Sequence, residues 1–288
     1  MRDKKILPQP VPIENYTEET IFQYCSLNTF EKIITNKELW LTDAAFMNDA
    51  AEGKWLDVFL RPYLLEQEQR LWQKQAGTFV DGLLNSITLH TKPVVYLSCF
   101  SRDGDVLSQW RGYANDGQGV SLGFKFRSSV FYCPASFNDF ETNIQVPFVQ
   151  PVIYDEAWQQ WVVEAVMNVA KHQTKWGGAG RLYHNASIFC KNPAFSEEKE
   201  VRLIYVPDPA KSPVKDPSPL IGPLARVTSN CLAPYYKLPI DGQSVELSEI
   251  IIGPKNKSRC VDIVNFLYLS GFPNWHRAEV KNSSATYR

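Results

Sequence analysis

The spacing of apolar positions changes repeatedly along this chain, and each change marks an element. Phe22, Tyr24 and Leu27 lead into residues 29–34, where Thr29 or Asn28 can cap a short helix that turns Ile33 and Ile34 inward. Residues 39–42, Leu-Trp-Leu-Thr, read as a short strand. From Phe46 a helical pattern runs through Trp55, Leu56, Phe59, Leu64, Leu65 and Leu71, with Pro62 expected to kink or divide it. The β-branched and aromatic run at 94–100 predicts a buried central strand. One or two helical turns follow at 106–114, Gly117 and Gly119 end them, and 120–126 alternates as a second strand.

The second half continues in the same mixed rhythm. Residues 146–154 form a third predicted strand. Trp158, Trp161, Val162, Ala165, Val166 and Val169 then recur at helical spacing to about His172. A further helix is expected from Gly177 to Cys190, a fourth strand at 200–205, a short buried strand at 250–252, a helix at 261–269 and an edge strand at 278–281. Residues 207–223 carry six prolines and read as an irregular excursion. Residues 1–15, with Pro8, Pro10 and Pro12, read as a flexible N-terminal arm. No steady βαβ alternation runs through the pattern. The expectation is a single α+β domain over 16–288, with a mixed, mostly antiparallel sheet surrounded by helices.

Composition narrows the function classes. With 288 residues, 44% of them hydrophobic, and 30 Lys+Arg against 31 Asp+Glu, the formal charge is -1. A dedicated duplex-binding protein would carry a basic excess. No run approaches the ~18 apolar residues that span a bilayer, and no apolar signal segment follows Met1, so a cytoplasmic protein without a membrane partner is expected. The six cysteines are isolated from one another, without zinc-site spacing, and no metal is expected; Cys25, Cys99 and Cys190 sit in apolar surroundings typical of buried thiols. Gly119-Val120-Ser121-Leu122-Gly123 matches a hydrolase elbow, but apolar alternation runs straight through Ser121 where the elbow needs a sharp turn. Glycine-rich phosphate loops and H-E-x-x-H are missing from the sequence.

Three polar constellations remain. Asn48-Asp49-Ala50-Ala51-Glu52 sits where a helix should begin; Asp49 and Glu52 suit a capping box, which leaves Asn48 free to point elsewhere. Residues 98–114 bring Ser98, Phe100, Trp110, Arg111 and Tyr113 around a short helix. An arginine beside aromatic rings can grip a phosphate or carboxylate, or it can stack within a core against an internal acid. Phe195-Ser196-Glu197-Glu198-Lys199-Glu200-Val201-Arg202 enters the fourth strand, with Glu198, Glu200 and Arg202 expected on one face. Crowded carboxylates there could raise a pKa into a useful range, or they could form a solvated edge with a Glu-Arg pair.

Tyr24 to Leu27, Asn48 to Glu52, Ser98 to Phe124, Phe195 to Arg202 and Ile250 to Pro254 together resemble the ordered motifs of the bacterial family known as domain of unknown function 2971. That family is distantly similar to abortive-infection and ADP-ribosyltransferase-like proteins. The resemblance implies an NAD-consuming ADP-ribosyltransferase or glycohydrolase acting on a nucleic acid or protein, as a toxin in phage defence. It implies NAD as substrate, Glu200 on a ribose hydroxyl, Glu198 orienting or activating the acceptor, Arg111 on the pyrophosphate, and Tyr24, Phe100 or Tyr113 stacked on nicotinamide. Two other readings compete with it. One is a non-catalytic nucleotide-sensing or protein-interaction module using the same cleft; the other is a nuclease with Mg²⁺ held by Asp49, Glu52 and Glu200.

Overall fold

The computed structural model describes residues 19–47, 55–71, 94–127, 147–172, 177–207, 219–228 and 231–287. Its elements are β1 (Ile21–Cys25), α1 (Leu27–Asn36), β2 (Glu38–Asp43), α2 (Asp57–Leu71), β3 (Tyr96–Ser101), α3 (Leu107–Tyr113), β4 (Val120–Phe126), β5 (Phe148–Pro151), α4 (Glu156–His172), α5 (Gly177–Ser187), β6 (Glu200–Tyr205), β7 (Ile221–Val227), β8 (Leu232–Pro239), β9 (Val245–Ile252), α6 (Cys260–Leu269) and β10 (Glu279–Asn282). Among the described residues the strands form one sheet, ordered β10-β9-β4-β1-β3-β2-β8-β7, with β6 also on β3 and β5 on β6. Among these strand pairs β10 against β9 is the parallel one, and the others are antiparallel. This is an α+β single domain with a mixed, mostly antiparallel open sheet.

Strand alternation sorts the side chains onto two faces. On one face Ile21, Cys25, Tyr96, Phe100, Leu203 and Tyr205 join the main core with Leu39 and Leu41, against Phe30, Ile33 and Ile34 of α1 and Ile263 and Leu267 of α6. On the other, Phe22 and Tyr24 pack against Trp110 of α3, while Leu97, Phe148, Phe189 and Ile204 form a smaller cluster. A third cluster is helical. Leu56, Leu60 and Leu64, four residues apart along one side of α2, meet Trp158, Val162 and Val166 of α4 and Tyr183 of α5. Pro62 lies inside α2, which is not divided there.

The helix cap lies earlier than expected. Ser26, in extended conformation, accepts the Thr29 amide at 3.2 Å, and Lys37 closes α1 in the left-handed region with its N–H on the Ile33 carbonyl. The proline-rich excursion is corrected in part, because its end, from Ile221, is an edge strand paired with β8. The chain near Ile21, which carries no clear alternation, is strand β1. Ser121 is fully buried as the second residue of β4, and the strand runs on through it to Phe126, so the elbow geometry is absent.

Gly119 shows how tightly the sheet joins its loops. A Cβ there would lie 2.0 Å from the Cys25 carbonyl oxygen, and backbone cannot yield as a side chain could. Gly119→Ala is therefore expected to cost about 3 kcal/mol, at the upper end of overpacking effects, read from the urea midpoint. A variant that unfolds at the wild-type midpoint would contradict this contact.

Candidate functional site

The sheet is split at its centre. β6 pairs with one edge of β3 along residues 96–101. The opposite edge is shared: β1 meets it at Ser101 through Phe22, and β2 meets it at Leu97 and Tyr96 through Thr42 and Asp43. Continued inward, either register would reach Cys99, and both strands cannot occupy that position. They splay apart, and residues 98–100 have no strand partner on this edge among the described residues. The side chains of Gln23 and Ser98 bridge part of the opening at 3.0 Å.

A cleft of about 740 Å³ fills the split. Thr29, Lys32, Ile33 and Asn36 line one end from a single face of α1, at the i, i+3, i+4, i+7 spacing of a helix. Trp40, Thr42 and Arg226 line one wall, Gln109 and Tyr113 of α3 another, and Lys191, Glu198 and Glu200 lie together in the lining. Gln109 and Tyr113, four residues apart, share a face of α3.

Local structure explains how those charged side chains meet. A 3₁₀ turn over Pro193–Glu198, capped by Asn192, ends at Lys199 in the left-handed region. β6 then starts at Glu200, so Glu198 does not extend that strand face as the sequence pattern had implied. The turn nevertheless lets both carboxylates reach one ammonium. Lys191 Nζ lies 2.6 Å from Glu198 Oε2 and 2.8 Å from Glu200 Oε2. The backbone of Lys191 is fixed from behind by the fully buried Gln159, whose amide donates to the carbonyls of Lys191 and Ile153 at 2.9 and 2.7 Å.

Glu200 is fully engaged. Its Oε1 accepts Arg202 Nε at 2.7 Å, and its Oε2 accepts Lys191. Burial works to raise the Glu200 carboxyl, but Arg202 and Lys191 together outweigh it and hold the group at about 2. The expected upward shift is therefore corrected: two cations face this carboxylate, and their attraction exceeds any repulsion from Glu198. Burial likewise opposes charge on Lys191, yet Glu200 and Glu198 raise its pKa. Glu198 has more latitude, since beyond Lys191 its Oε1 meets only the Tyr113 hydroxyl at a long 3.5 Å among the contacts of described residues. Burial and the Glu198 charge push the Tyr113 phenol up to about 12, so it stays a donor at neutral pH.

The other expected site residues divide between cleft and core. Tyr24, Ser98, Phe100, Tyr113, Glu198 and Glu200 all line the cleft. Tyr24 is committed by its hydroxyl, which donates to the Asp103 carbonyl and accepts the Val106 amide, and Phe100 packs on Phe124 and Phe126. Trp110 is fully buried behind the cleft, with Nε1 on Asp105 Oδ1 at 2.7 Å and its ring edge-on to Tyr24. Arg111 is exposed, and its guanidinium lies 4.7 Å over the Tyr287 ring, outside the cleft lining. The 3.6-residue helical period explains this, because Arg111 points away from the face that carries Gln109 and Tyr113. Asn48, with Asp49 and Glu52, lies outside the described residues.

Sequence reasoning missed Lys191, Gln23, Gln109, Trp40 and Arg226. Lys191 follows the apolar Ile188-Phe189-Cys190, a lone cation at the end of a buried run and the one signal that pointed inward. Among the described residues no group of three or more His, Cys, Asp or Glu could hold a metal ion, and no helix is long and apolar enough to cross a membrane. Cys25 and Cys190 are free, buried thiols pushed up to about 12 by burial, while Cys99 is only half-buried.

No curated protein and no solved structure matches this chain significantly. A family model does match part of it, from Gln109 on the cleft wall to Leu203 in β6, a stretch that contains Tyr113, Lys191, Glu198, Glu200 and Arg202. Over residues 109–203 the chain is thus similar to the family described as "Protein of unknown function (DUF2971)".

Proposed function

We propose that the cleft binds an NAD-like dinucleotide and that the protein is an NAD-consuming, ADP-ribosyltransferase-like enzyme. The observation that carries this reading is the split sheet, which opens a cleft of about 740 Å³ onto the paired carboxylates held by Lys191. That volume suits a dinucleotide-sized ligand. The expected division of labour between the carboxylates is reversed. Glu200, with both oxygens occupied, is a positioning residue that holds Lys191, and Glu198 is the carboxylate with an oxygen to spare for substrate.

In the proposed reaction the bond between ribose C1′ and the nicotinamide nitrogen breaks heterolytically. The electron pair leaves with the ring, which departs as neutral nicotinamide. Positive charge develops across C1′ and the ribose ring oxygen, where the Glu198 anion stabilises it. A lone pair from the acceptor, a hydroxyl, an amine or water, closes the new bond to C1′, and the acceptor's proton passes to Glu198 and then to solvent. The expectation that the acceptor is a nucleic acid or protein, in the setting of phage defence, rests on the resemblance alone.

The test is release of labelled nicotinamide from NAD in the presence of candidate acceptors. Glu198→Gln is expected to slow release by about 10²- to 10³-fold, the loss typical of one electrostatic contact to a transition state, with little change in thermal midpoint. Undiminished release would remove this carboxylate from the mechanism. The full neutralisation of Glu200 favours one second reading, a nucleotide-binding module without turnover. Under that reading NAD raises the melting temperature and no nicotinamide appears.

A further inference from the structure

The cations of the cleft differ in one respect. Lys191, in the lining, is matched by Glu198 and Glu200; Arg202, buried outside the lining, is matched by Glu200; and Lys237, beside the cleft wall, is matched by Glu38 at 3.0 Å. Lys32 and Arg226 both line the cleft without a carboxylate partner among the described residues, but Lys32 is exposed on α1 whereas Arg226 is half-buried and held by its neighbours. Its guanidinium centre lies 5.1 Å over the Trp40 ring, and Nη2 donates to Thr42 Oγ1 at 3.1 Å. Its Nε is buried without a hydrogen-bond partner. A buried N–H left unpaired is costly, and this one belongs to a side chain that lines the cleft.

From these positions we propose that Arg226 is the phosphate-binding residue of the cleft, seating a diphosphate of the bound nucleotide against Trp40 and Thr42. The assignment deepens the nucleotide reading and rests on it. Three properties support an oxyanion here. The planar guanidinium fork matches two phosphate oxygens at once. Trp40 holds the guanidinium through a cation–π contact, and Tyr235 backs Trp40 with ring centroids 4.6 Å apart. The neighbouring acid Glu38 takes both the Trp40 indole N–H, at 2.8 Å, and Lys237, at 3.0 Å, on its Oε1, and among the described residues it makes no ion pair with Arg226. The role that the sequence pattern implied for Arg111 thus moves to an arginine on the edge strand β7, on the half of the split sheet that lies beyond β2.

The experiment titrates ADP-ribose, ADP, inorganic pyrophosphate and adenosine into the full chain by calorimetry, for the wild type, Arg226→Met and Arg226→Lys, with nicotinamide release measured in parallel. Arg226→Met keeps an apolar stem on Trp40, and its melting curve serves as the folding control; Arg226→Lys keeps the charge without the fork. ADP and ADP-ribose should bind the Met variant at least tenfold more weakly and the Lys variant to an intermediate degree, with adenosine changed little. Equal ADP and ADP-ribose affinity in the wild type and a folded Met variant would overturn the assignment while leaving the nucleotide reading in place. Arg226-dependent binding of ADP without any nicotinamide release would support the assignment and overturn the transferase. Failure of every diphosphate probe to bind the wild type would overturn both.

Discussion

Glu200→Gln is expected to destabilise the fold by about 3–5 kcal/mol at neutral pH, the usual cost of removing one member of a buried ion pair. The variant leaves the Arg202 side chain, 2% exposed, and Lys191, 10% exposed, without that carboxylate. The same interaction should be visible in acid. Glu200 titrates at about 2 in the fold against an ordinary value of 4.5, so its folded pKa is depressed. Its contribution is therefore complete above the unfolded value, and it is lost as pH falls from about 4.5 towards about 2. That window carries on the order of 3 kcal/mol of wild-type stability. Urea unfolding at pH 7 and pH 3 separates the two effects. The wild type should lose much more stability between them than Glu200→Gln does, and parallel pH dependences would show that the ion pair contributes little.

The second large effect is expected at Trp110. Trp110→Ala should cost about 3–5 kcal/mol, because a fully buried indole leaves a cavity that the surrounding sheet cannot close. Trp110→Phe, which keeps a ring against Tyr24 but loses the bond to Asp105, should cost about 1–2 kcal/mol. Asp105 makes the comparison informative. Burial disfavours its anion, but hydroxyls of Ser283 and Ser284 and the Trp110 indole outweigh that and lower its pKa. Trp110 therefore joins α3 both to β1 and, through Asp105, to the C-terminal segment. Chemical denaturation of the two variants measures both terms, and a Trp110→Phe variant as stable as the wild type would mean that the hydrogen bond contributes nothing measurable. Since α3 also carries Gln109 and Tyr113, the proposed nucleotide binding should weaken in the Ala variant as well.

Much of the fold was legible because burial imposes a period. The runs at 96–101, 120–126 and 200–205 are buried along nearly their whole length, and a two-sided hydrophobic strand declares itself by its residues alone. β7 was not legible. It is an edge strand with mostly exposed side chains, and its pairing with β8 depends on a partner lying beyond it in the sequence. The helical cluster was readable at Trp158, Val162 and Val166 for the opposite reason, because the 3.6-residue period is local.

The candidate site was legible in residue type and only partly in arrangement. A carboxylate-rich entry to a buried strand pointed to Glu198 and Glu200, and the aromatic helix to Tyr113, all of which line the cleft. Of the two readings of these carboxylates the Glu-Arg pair forms, buried rather than solvated: against burial, Arg202 lowers the Glu200 pKa most, and Lys191, on a separate segment that spacing along the chain did not connect to it, lowers it further.

What the sequence determined by itself was therefore the periodic part: the two-sided buried strands such as 96–101, 120–126 and 200–205, the helix carrying Trp158, Val162 and Val166, the α+β class, and the clustering of acids before β6. Only the tertiary structure decided that β1 and β2 compete for one edge of β3 and open a cleft between them, that Lys191 neutralises both glutamates, and that Arg226, not Arg111, enters the lining. The reason is physical. Periodicity follows from each residue's own exposure to water, whereas an edge shared between two strands, or a charge matched across segments, is set by groups that meet only after the chain has closed on itself.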